Sequence, residues 1–169
     1  MLEVVEYDNN WPEEFKAEKN FLDSVLREYI YGSIEHVGST SVIGLAAKPV
    51  IDIMLGVESL DASVAAIDIL VKNGYCYYPY KPDVMHWFCK PSPEVRSHHL
   101  HLIPYKSCLW YERIQFRDYL RTHPEVADQY AELKLKLAAD SLNDREDYTR
   151  KKWPFIQQVL KSMNTYSAN

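Results

Sequence analysis

A run of small polar residues and one acid carry the clearest chemical signal in this sequence. Gly38-Ser39-Thr40-Ser41 is followed eleven residues later by Asp52, which lies in an otherwise apolar segment. Glycine lets the backbone approach a phosphate closely, hydroxyl and N–H groups donate hydrogen bonds to phosphate oxygens, and an acid on a rigid strand holds a divalent cation. This order of residues is typical of a polyphosphate site, although a polar turn without a ligand would look the same.

Asp52 needs a partner if its strand is central in a sheet. Its neighbours Ile51 and Ile53 are apolar, and burying an unpaired carboxylate is very costly. The partner is then a cation, a basic side chain or a set of backbone N–H groups. We favour a divalent metal ion over the structural alternative, an ion pair with Lys48.

Histidines on a later strand extend the candidate metal site. In His98-His99-Leu100-His101 the alternation of a strand places His99 and His101 on one face. His86, on the preceding strand of a predicted hairpin, is expected to lie across from them. Two imidazoles with Asp52 suit Mn²⁺, Fe²⁺ or Zn²⁺ better than Mg²⁺. The alternative is that these histidines hydrogen-bond phosphate, substrate or each other.

Three arginines form a stripe on a predicted helix. Arg113, Arg117 and Arg121 recur every four residues, a spacing at which like charges repel, and the one acid between the first and the last of them is Asp118. A stripe without interleaved acids predicts a bound anion, whereas the alternative is a solvated helix face. We expect Arg117 and Arg121 to contact this anion.

The last predicted helix adds a further basic candidate. Lys152 follows Tyr148 by one helical turn, and we choose it as the anion ligand of this helix. The large aromatic residues of the C-terminal segment are predicted to be core residues and not platforms for base stacking: Trp110, Phe116, Tyr119, Tyr130, Trp153 and Phe155.

Composition narrows the class of protein. The chain has 169 residues and a formal net charge of −5 at pH 7, which argues against nonspecific nucleic-acid binding, since that needs a broad basic surface. No apolar stretch is long enough to span a bilayer, and the start does not resemble a signal peptide. The three cysteines have no CxxC spacing and are interpreted as reduced thiols. We expect a cytoplasmic protein without membrane contact, and the oligomeric state stays open.

Periodicity supplies the elements that must position these residues. Strand patterns alternate with amphipathic helices in the first two thirds, and the remainder is helical. This predicts an α+β fold, a mixed sheet with flanking helices and a C-terminal helical segment. We expect one domain, residues 1–169, with the sheet core in about 1–106 and the C-terminal helices in about 107–163. The predicted helices are 11–30, 61–73, 109–121, 124–139 and 145–163, and the predicted strands are 34–37, 50–57, 75–80, 85–90 and 97–104.

The chain resembles the GrpB family, an outlying branch of the nucleotidyltransferase superfamily. The resemblance is strongest in Glu35–Ile53, His98–His101, Phe116–Pro124 and the segment from Tyr148 to Ile156. It implies a nucleotidyltransferase-like fold in which Asp52 and His101 are catalytic and Asp52, His99 and His101 hold a divalent metal, Mg²⁺ or Mn²⁺. The implied phosphate-binding residues are Gly38, Ser39, Thr40, Ser41, Lys48, Arg117, Arg121 and Lys152.

Met54 departs from the pattern of the superfamily. A catalytic nucleotidyltransferase usually has a second acid two residues after the first, on the same strand face, whereas this chain has a thioether there. The resemblance therefore implies a metal-dependent nucleotidyltransferase that uses a nucleoside triphosphate, or a related phosphorylated small molecule, and an unknown acceptor. The alternative is a non-catalytic binding or sensor module for a nucleotide or a coenzyme-A-related ligand.

Overall fold

A five-stranded mixed β-sheet forms the centre of the computed structural model, which describes residues 3–140 and 144–166. Across the sheet the strands run in the order β1-β2-β5-β4-β3; β2 and β5 are parallel and the other neighbours are antiparallel. Together with its helices this sheet confirms the predicted α+β class. The strands are β1 (Ile34–Val37), β2 (Ile51–Val57), β3 (Cys76–Tyr78), β4 (His86–Pro91) and β5 (Arg96–Pro104).

Helices cover both faces of the sheet. One apolar cluster joins α1 and α2 to the sheet through Leu22, Leu70, Ile53 and Phe88, and a second, on the opposite face, joins α3 to Met54, Trp87 and Ile103 through Trp110. Strand alternation explains the division, because neighbouring residues of β2 supply opposite faces. The helices are α1 (Trp11–Val25), α2 (Val64–Lys72), α3 (Cys108–Thr122), α4 (Pro124–Asp140) and α5 (Arg145–Tyr166).

The first helix differs most from its sequence-based boundaries. The first ends at Val25 instead of near Ile30, because Leu26 leaves the helical region with φ −119° and ψ 15° and the chain turns so that Tyr31 N–H donates to Gly56 O. The last helix begins at Arg145, as predicted, and includes Pro154. Residues 1–2, 141–143 and 167–169 of the predicted domain lie outside the described residues.

The pairing of β2 with its neighbours sets the position of the site. Asp52 pairs with His99 of β5 and with Val37 of β1, and Met54 pairs with His101. These residues therefore share one face of the sheet, the face that α3 covers. A slip of one residue in this register would move Asp52 to the opposite face.

His86 does not join this face. It pairs with Leu102 of β5, whereas Trp87 is the cross-strand partner of His101, and the His86 Nε2 lies 3.0 Å from Leu60 O. The expectation that His86 lies across from the histidine pair is therefore wrong. The hairpin register gives His86 the opposite parity.

The described residues also bear on two predictions from composition. Cys76, Cys89 and Cys108 are free thiols, as predicted. Within residues 3–140 and 144–166, no helix combines the length and the apolar character that crossing a bilayer requires.

Candidate functional site

Asp52, His99 and His101 converge on one face of the central strands. The Asp52 Oδ1 lies 2.9 Å from His99 Nδ1 and 3.7 Å from His101 Nε2. One candidate ligand atom from each residue falls within 4.8 Å of the others. The parallel register of β2 and β5 is the cause, since it places the carboxylate beside two imidazoles of like parity.

Imidazole nitrogens of this cluster lack hydrogen-bond partners. His99 Nε2 and both ring nitrogens of His101 are buried without a partner, and leaving a buried polar atom unsatisfied costs about 1–3 kcal/mol. In the neutral tautomer whose Nδ1–H donates to Asp52, the His99 Nε2 is an acceptor. Unpaired nitrogens beside a carboxylate fit a divalent transition metal, because such an ion takes imidazole and carboxylate ligands together.

The protonation states of the cluster agree with this fit. Burial, with a smaller contribution from Arg113, lowers the pKa of His101 to about 3, so its imidazole is neutral, the form that binds metals. Burial alone would raise the pKa of Asp52, but His101 and His99 hold that pKa well below its usual range. The cluster thus presents an ionised carboxylate and a neutral imidazole.

Gly38 brings the polar turn against Asp52. Its φ is +71°, and a Cβ at this position would lie 2.5 Å from Asp52 Oδ2. A side chain would therefore force the turn away from the carboxylate, and the positive φ would strain it. The turn that follows is a 3₁₀ helix, Ser39–Ser41, so its backbone begins directly beside the cluster.

The hydroxyl groups of this turn differ in their roles. Ser41 Oγ donates to Gly38 O at 2.6 Å, and Thr40 Oγ1 lies 2.9 Å from His36 Nε2 and 3.3 Å from Val50 O. These two hydroxyls are therefore used within the fold. Ser39 instead lies close to the Tyr130 side chain and affects its pKa, which places it next to the C-terminal helices.

Three lysines and two tyrosines form a basic cluster beyond Ser39. Lys48 Nζ lies 3.5 Å and Lys152 Nζ lies 4.5 Å from the centroid of the Tyr148 ring. Lys134 Nζ lies 4.8 Å from the Tyr130 ring and donates to Ala46 O. Cation–π contacts hold the ammonium groups close together despite their like charge. We refer to Lys48, Lys134, Lys152, Tyr130 and Tyr148 as the lysine–tyrosine cluster.

The charges of the lysine–tyrosine cluster interact with one another and with that of Asp52. Burial, and then the charge of Lys152, lower the pKa of Lys134 to about 7. Burial also lowers the pKa of Lys152, which the negative charge of Asp52 partly offsets. An anion bound among these ammonium groups would relieve both their repulsion and their burial.

Sequence reasoning did not identify this cluster. Tyr130 is a buried core residue, as predicted, but its contact with a lysine was not expected, and Lys134 was not singled out. A signal existed, because Ala127, Tyr130, Lys134 and Leu137 all lie on the buried stripe of α4. A lysine in an apolar helical stripe is rare unless it has a specific partner.

Arg117 and Arg121 are bonded within the protein. Arg117 pairs with Glu35 of β1 at 2.7 Å and with Asp118 at 2.8 Å. Arg121 donates to Ser41 O through Nε at 3.0 Å and Nη2 at 2.8 Å. The premise that Asp118 alone relieves the arginine stripe is wrong, because Glu35 lies opposite it. Both arginines therefore hold β1 and the polar turn against α3.

We expect Glu35 and Arg117 to be energetically coupled. Glu35→Gln and Arg117→Gln should each destabilise the protein by about 1–3 kcal/mol, because the Arg117 side chain is only 10% exposed and each change leaves a partly buried charge without its partner. The double variant should lose less than the sum of the two. Urea denaturation of all four proteins measures the coupling, and strictly additive losses would contradict the pairing.

Comparisons with known proteins identify relatives along the whole chain. The family described as GrpB protein matches residues 1–162. The glutamate-rich protein GrpB of Alkalihalophilus pseudofirmus is 34% identical over 165 residues, which cover 95% of this chain and 94% of that protein. A UPF0157 protein of Pseudomonas aeruginosa is 37% identical over 163 residues, 94% of this chain and 66% of that protein.

Solved structures with the same fold include a bacterial relative and a distant protein. The crystal structure of the conserved protein GrpB from Enterococcus faecalis has a TM-score of 0.84 and 30% identity, covering 95% of this chain and 99% of that chain. The structure of the GLD-2/RNP-8 complex has a TM-score of 0.54 and 11% identity, covering 90% of this chain and 58% of that chain. The second likeness concerns the fold alone.

Proposed function

The chain belongs to the GrpB family, and from this premise we propose that it is a metal-dependent nucleotidyltransferase that uses a nucleoside triphosphate. The observation that carries the proposal is the meeting of a carboxylate–imidazole cluster with a basic cluster across one glycine turn. Asp52 and His101 lie 3.7 Å apart on one side of the turn. Lys48 and Lys152 share the Tyr148 ring on the other side of Ser39.

The two clusters have complementary tasks in this proposal. Asp52, His99 and His101 would hold the divalent metal, with Mn²⁺ a better fit to the imidazoles than Mg²⁺. When bound, the metal supplies charge neutralisation at the phosphoryl oxygens. Lys48 and Lys152 bind the triphosphate as ammonium groups in a partly buried site, where ion pairs are stronger than in water.

The transfer step uses these residues as follows. An acceptor oxygen forms a bond to the α-phosphorus while the bond between that phosphorus and the bridging oxygen of the β-phosphate breaks, and pyrophosphate leaves. The acceptor's proton passes to solvent water, because Asp52 and His101 have lowered pKa values and hold the metal in this proposal. Lys48 and Lys152 stabilise the negative charge that grows on pyrophosphate. Ser39 and the backbone that follows Gly38 orient the phosphates.

Met54 favours a second candidate, a nucleotide-binding sensor without turnover. The residue is completely buried between the positions of Glu35 and His101, so the second acid of the superfamily is replaced by an apolar wall. Binding needs the phosphate and metal sites only, whereas two-metal catalysis needs further carboxylates. The two candidates share a ligand and differ in whether pyrophosphate is released.

The test measures binding and turnover separately. We expect Mn²⁺ and ATP together to bind the wild type, and Lys152→Met to weaken ATP affinity about tenfold or more through the loss of one charge-assisted contact. Lys151→Met is the matched control, because Lys151 is the neighbour of Lys152 in sequence and its exposed ammonium group pairs with Asp147. Calorimetric titration measures the affinities, and a pyrophosphate assay measures turnover.

The outcomes of this test distinguish the two candidate functions. Binding with release of pyrophosphate supports the transferase, and binding without release, across a panel of hydroxyl-bearing acceptors, supports the sensor. No binding of ATP with Mn²⁺, or equal affinities in the Lys151 and Lys152 variants, would remove the basis of both.

A further inference from the structure

A cavity lies beside the polar turn, on the side of α1 and the α3–α4 junction. Its volume is about 690 Å³, which is within the range of roughly 300–1,000 Å³ typical of small-molecule sites. Thr40 and Ser41 contribute to its wall. Asp52, His99 and His101 are not among the described residues that line it, so the cavity adjoins the proposed nucleotide site at the turn without including the metal cluster.

The walls of this cavity are largely apolar. The apolar lining includes Phe15 of α1, Leu120 of α3 and the segment Val42–Leu45 after the turn. Ile43 is 83% exposed at its edge, so its side chain is accessible to a ligand. A ligand with a hydrophobic body would cover this side chain.

Arg121 provides a fixed positive charge in the cavity wall. Its Nε and Nη2 both donate to Ser41 O, which holds the guanidinium plane in place, and its side chain is still 42% exposed. A guanidinium has five N–H groups, so donors remain for a ligand. The Oδ1 of the neighbouring Asp118 lies 3.7 Å from Arg121 Nη1 but 2.8 Å from Arg117 Nε. Asp118 therefore pairs more closely with Arg117 than with Arg121.

Two further titratable residues of the wall, His36 and Asp128, do not cancel the positive charge of Arg121. His36 lies with its Nε2 at 2.9 Å from Thr40 Oγ1 and is stacked on Phe15. Burial lowers the pKa of His36 to about 4, so it is neutral near pH 7 and offers only hydrogen bonding. Asp128 lies in the wall as an exposed acid of α4, where water screens its charge.

We propose that this cavity binds a small organic anion, with its apolar body against Ile43 and Leu120 and its carboxylate or sulfonate on Arg121. A fixed guanidinium in an apolar wall selects this class, because it pairs with planar anions while the walls exclude water from the rest of the ligand. The inference does not rest on the proposed nucleotidyltransferase activity, since neither the metal cluster nor the lysine–tyrosine cluster takes part.

The experiment uses anilinonaphthalene sulfonate, a fluorescent anion of this class, with the full chain. We expect saturable binding that is at least fivefold weaker in Arg121→Gln and in Ile43→Ser, and that Arg121→Lys partly restores. The matched controls are Arg27→Gln and Val95→Ser, which change an exposed arginine and a 68% exposed valine outside the cavity. Both should bind like the wild type.

Competition distinguishes the charge from the apolar body. Naphthoate should displace the fluorophore, and the uncharged naphthamide should displace it at least fivefold less well. Ile43→Ser keeps the test valid if loss of the bond to Ser41 unfolds the Arg121 variants, because its exposed side chain supports no packing. Equal binding by Ile43→Ser and Val95→Ser, or equal competition by the acid and the amide, would overturn the proposal.

Discussion

Asp52→Asn is expected to lower the affinity of the protein for Mn²⁺ by about 100-fold or more. Asparagine has the shape of aspartate, so its side-chain oxygen can still accept the hydrogen bond from His99 Nδ1–H, which is 2.9 Å long in the wild type. It lacks the negative charge, and changes to groups that only support a metal ligand already cost 10–100-fold. The expected loss is therefore in metal binding and not in folding.

The matched control for this variant is Asp68→Asn, an exposed acid on α2 far from the site in the fold. Electron paramagnetic resonance counts free Mn²⁺ during titration of each protein, and thermal unfolding without metal checks their stability. His101→Gln should also weaken binding, since His101 contributes an unpartnered nitrogen. Equal Mn²⁺ affinities in wild type and Asp52→Asn would contradict the metal site directly.

Met54→Asp is expected to destabilise the metal-free protein by about 3 kcal/mol. Met54 is completely buried in the cluster that contains Val37, Trp87 and Ile103. A carboxylate there would be desolvated two residues from Asp52 on the same strand face, and a buried polar group without partners costs several kcal/mol. Met54→Leu, which conserves volume, should cost less than about 1.5 kcal/mol.

The stability of Met54→Asp should depend on whether metal and nucleotide are bound. Saturating Mn²⁺ with ATP should restore most of the stability lost in Met54→Asp, because the added acid would lie beside His101, the cross-strand partner of Met54. Urea denaturation with and without these ligands measures the recovery. If Met54→Asp gains no more stability from the ligands than Met54→Leu, Met54 is not part of the metal site, and the sensor candidate is favoured over the transferase.

Local patterns predicted the parts of the site that depend on parity within one strand. Alternation placed His99 and His101 on one face, and the apolar run around Asp52 identified a central strand. His86 was misplaced because its face depends on the register between β4 and β5, which includes an irregularity at Lys90–Pro91. That register arises from the geometry of the hairpin, which residue spacing does not express.

Long-range partners explain the remaining differences. Glu35 and Arg117 are 82 residues apart, and Lys134 meets Ala46 across 88 residues. The spacing of the arginines on α3 indicated that their mutual repulsion was unrelieved, because the sequence of a helix does not show that an acid on a distant strand packs against it. The cavity beside the turn was equally hidden, since three separated segments enclose it.

The parallel pairing of β2 with β5 also determines when the site can exist during folding. Asp52 meets His99 across 47 residues, and the polar turn is fastened by Arg121 from 80 residues away. Such contacts close large loops, which makes them slow and late compared with local structure. While the chain is being synthesised, the proposed metal ligands cannot converge before β5 has emerged, and the turn cannot be anchored before α3 has followed. A nascent chain that ends after β4 would therefore carry the glycine turn and the carboxylate without the two histidines that lie beside them in the folded protein.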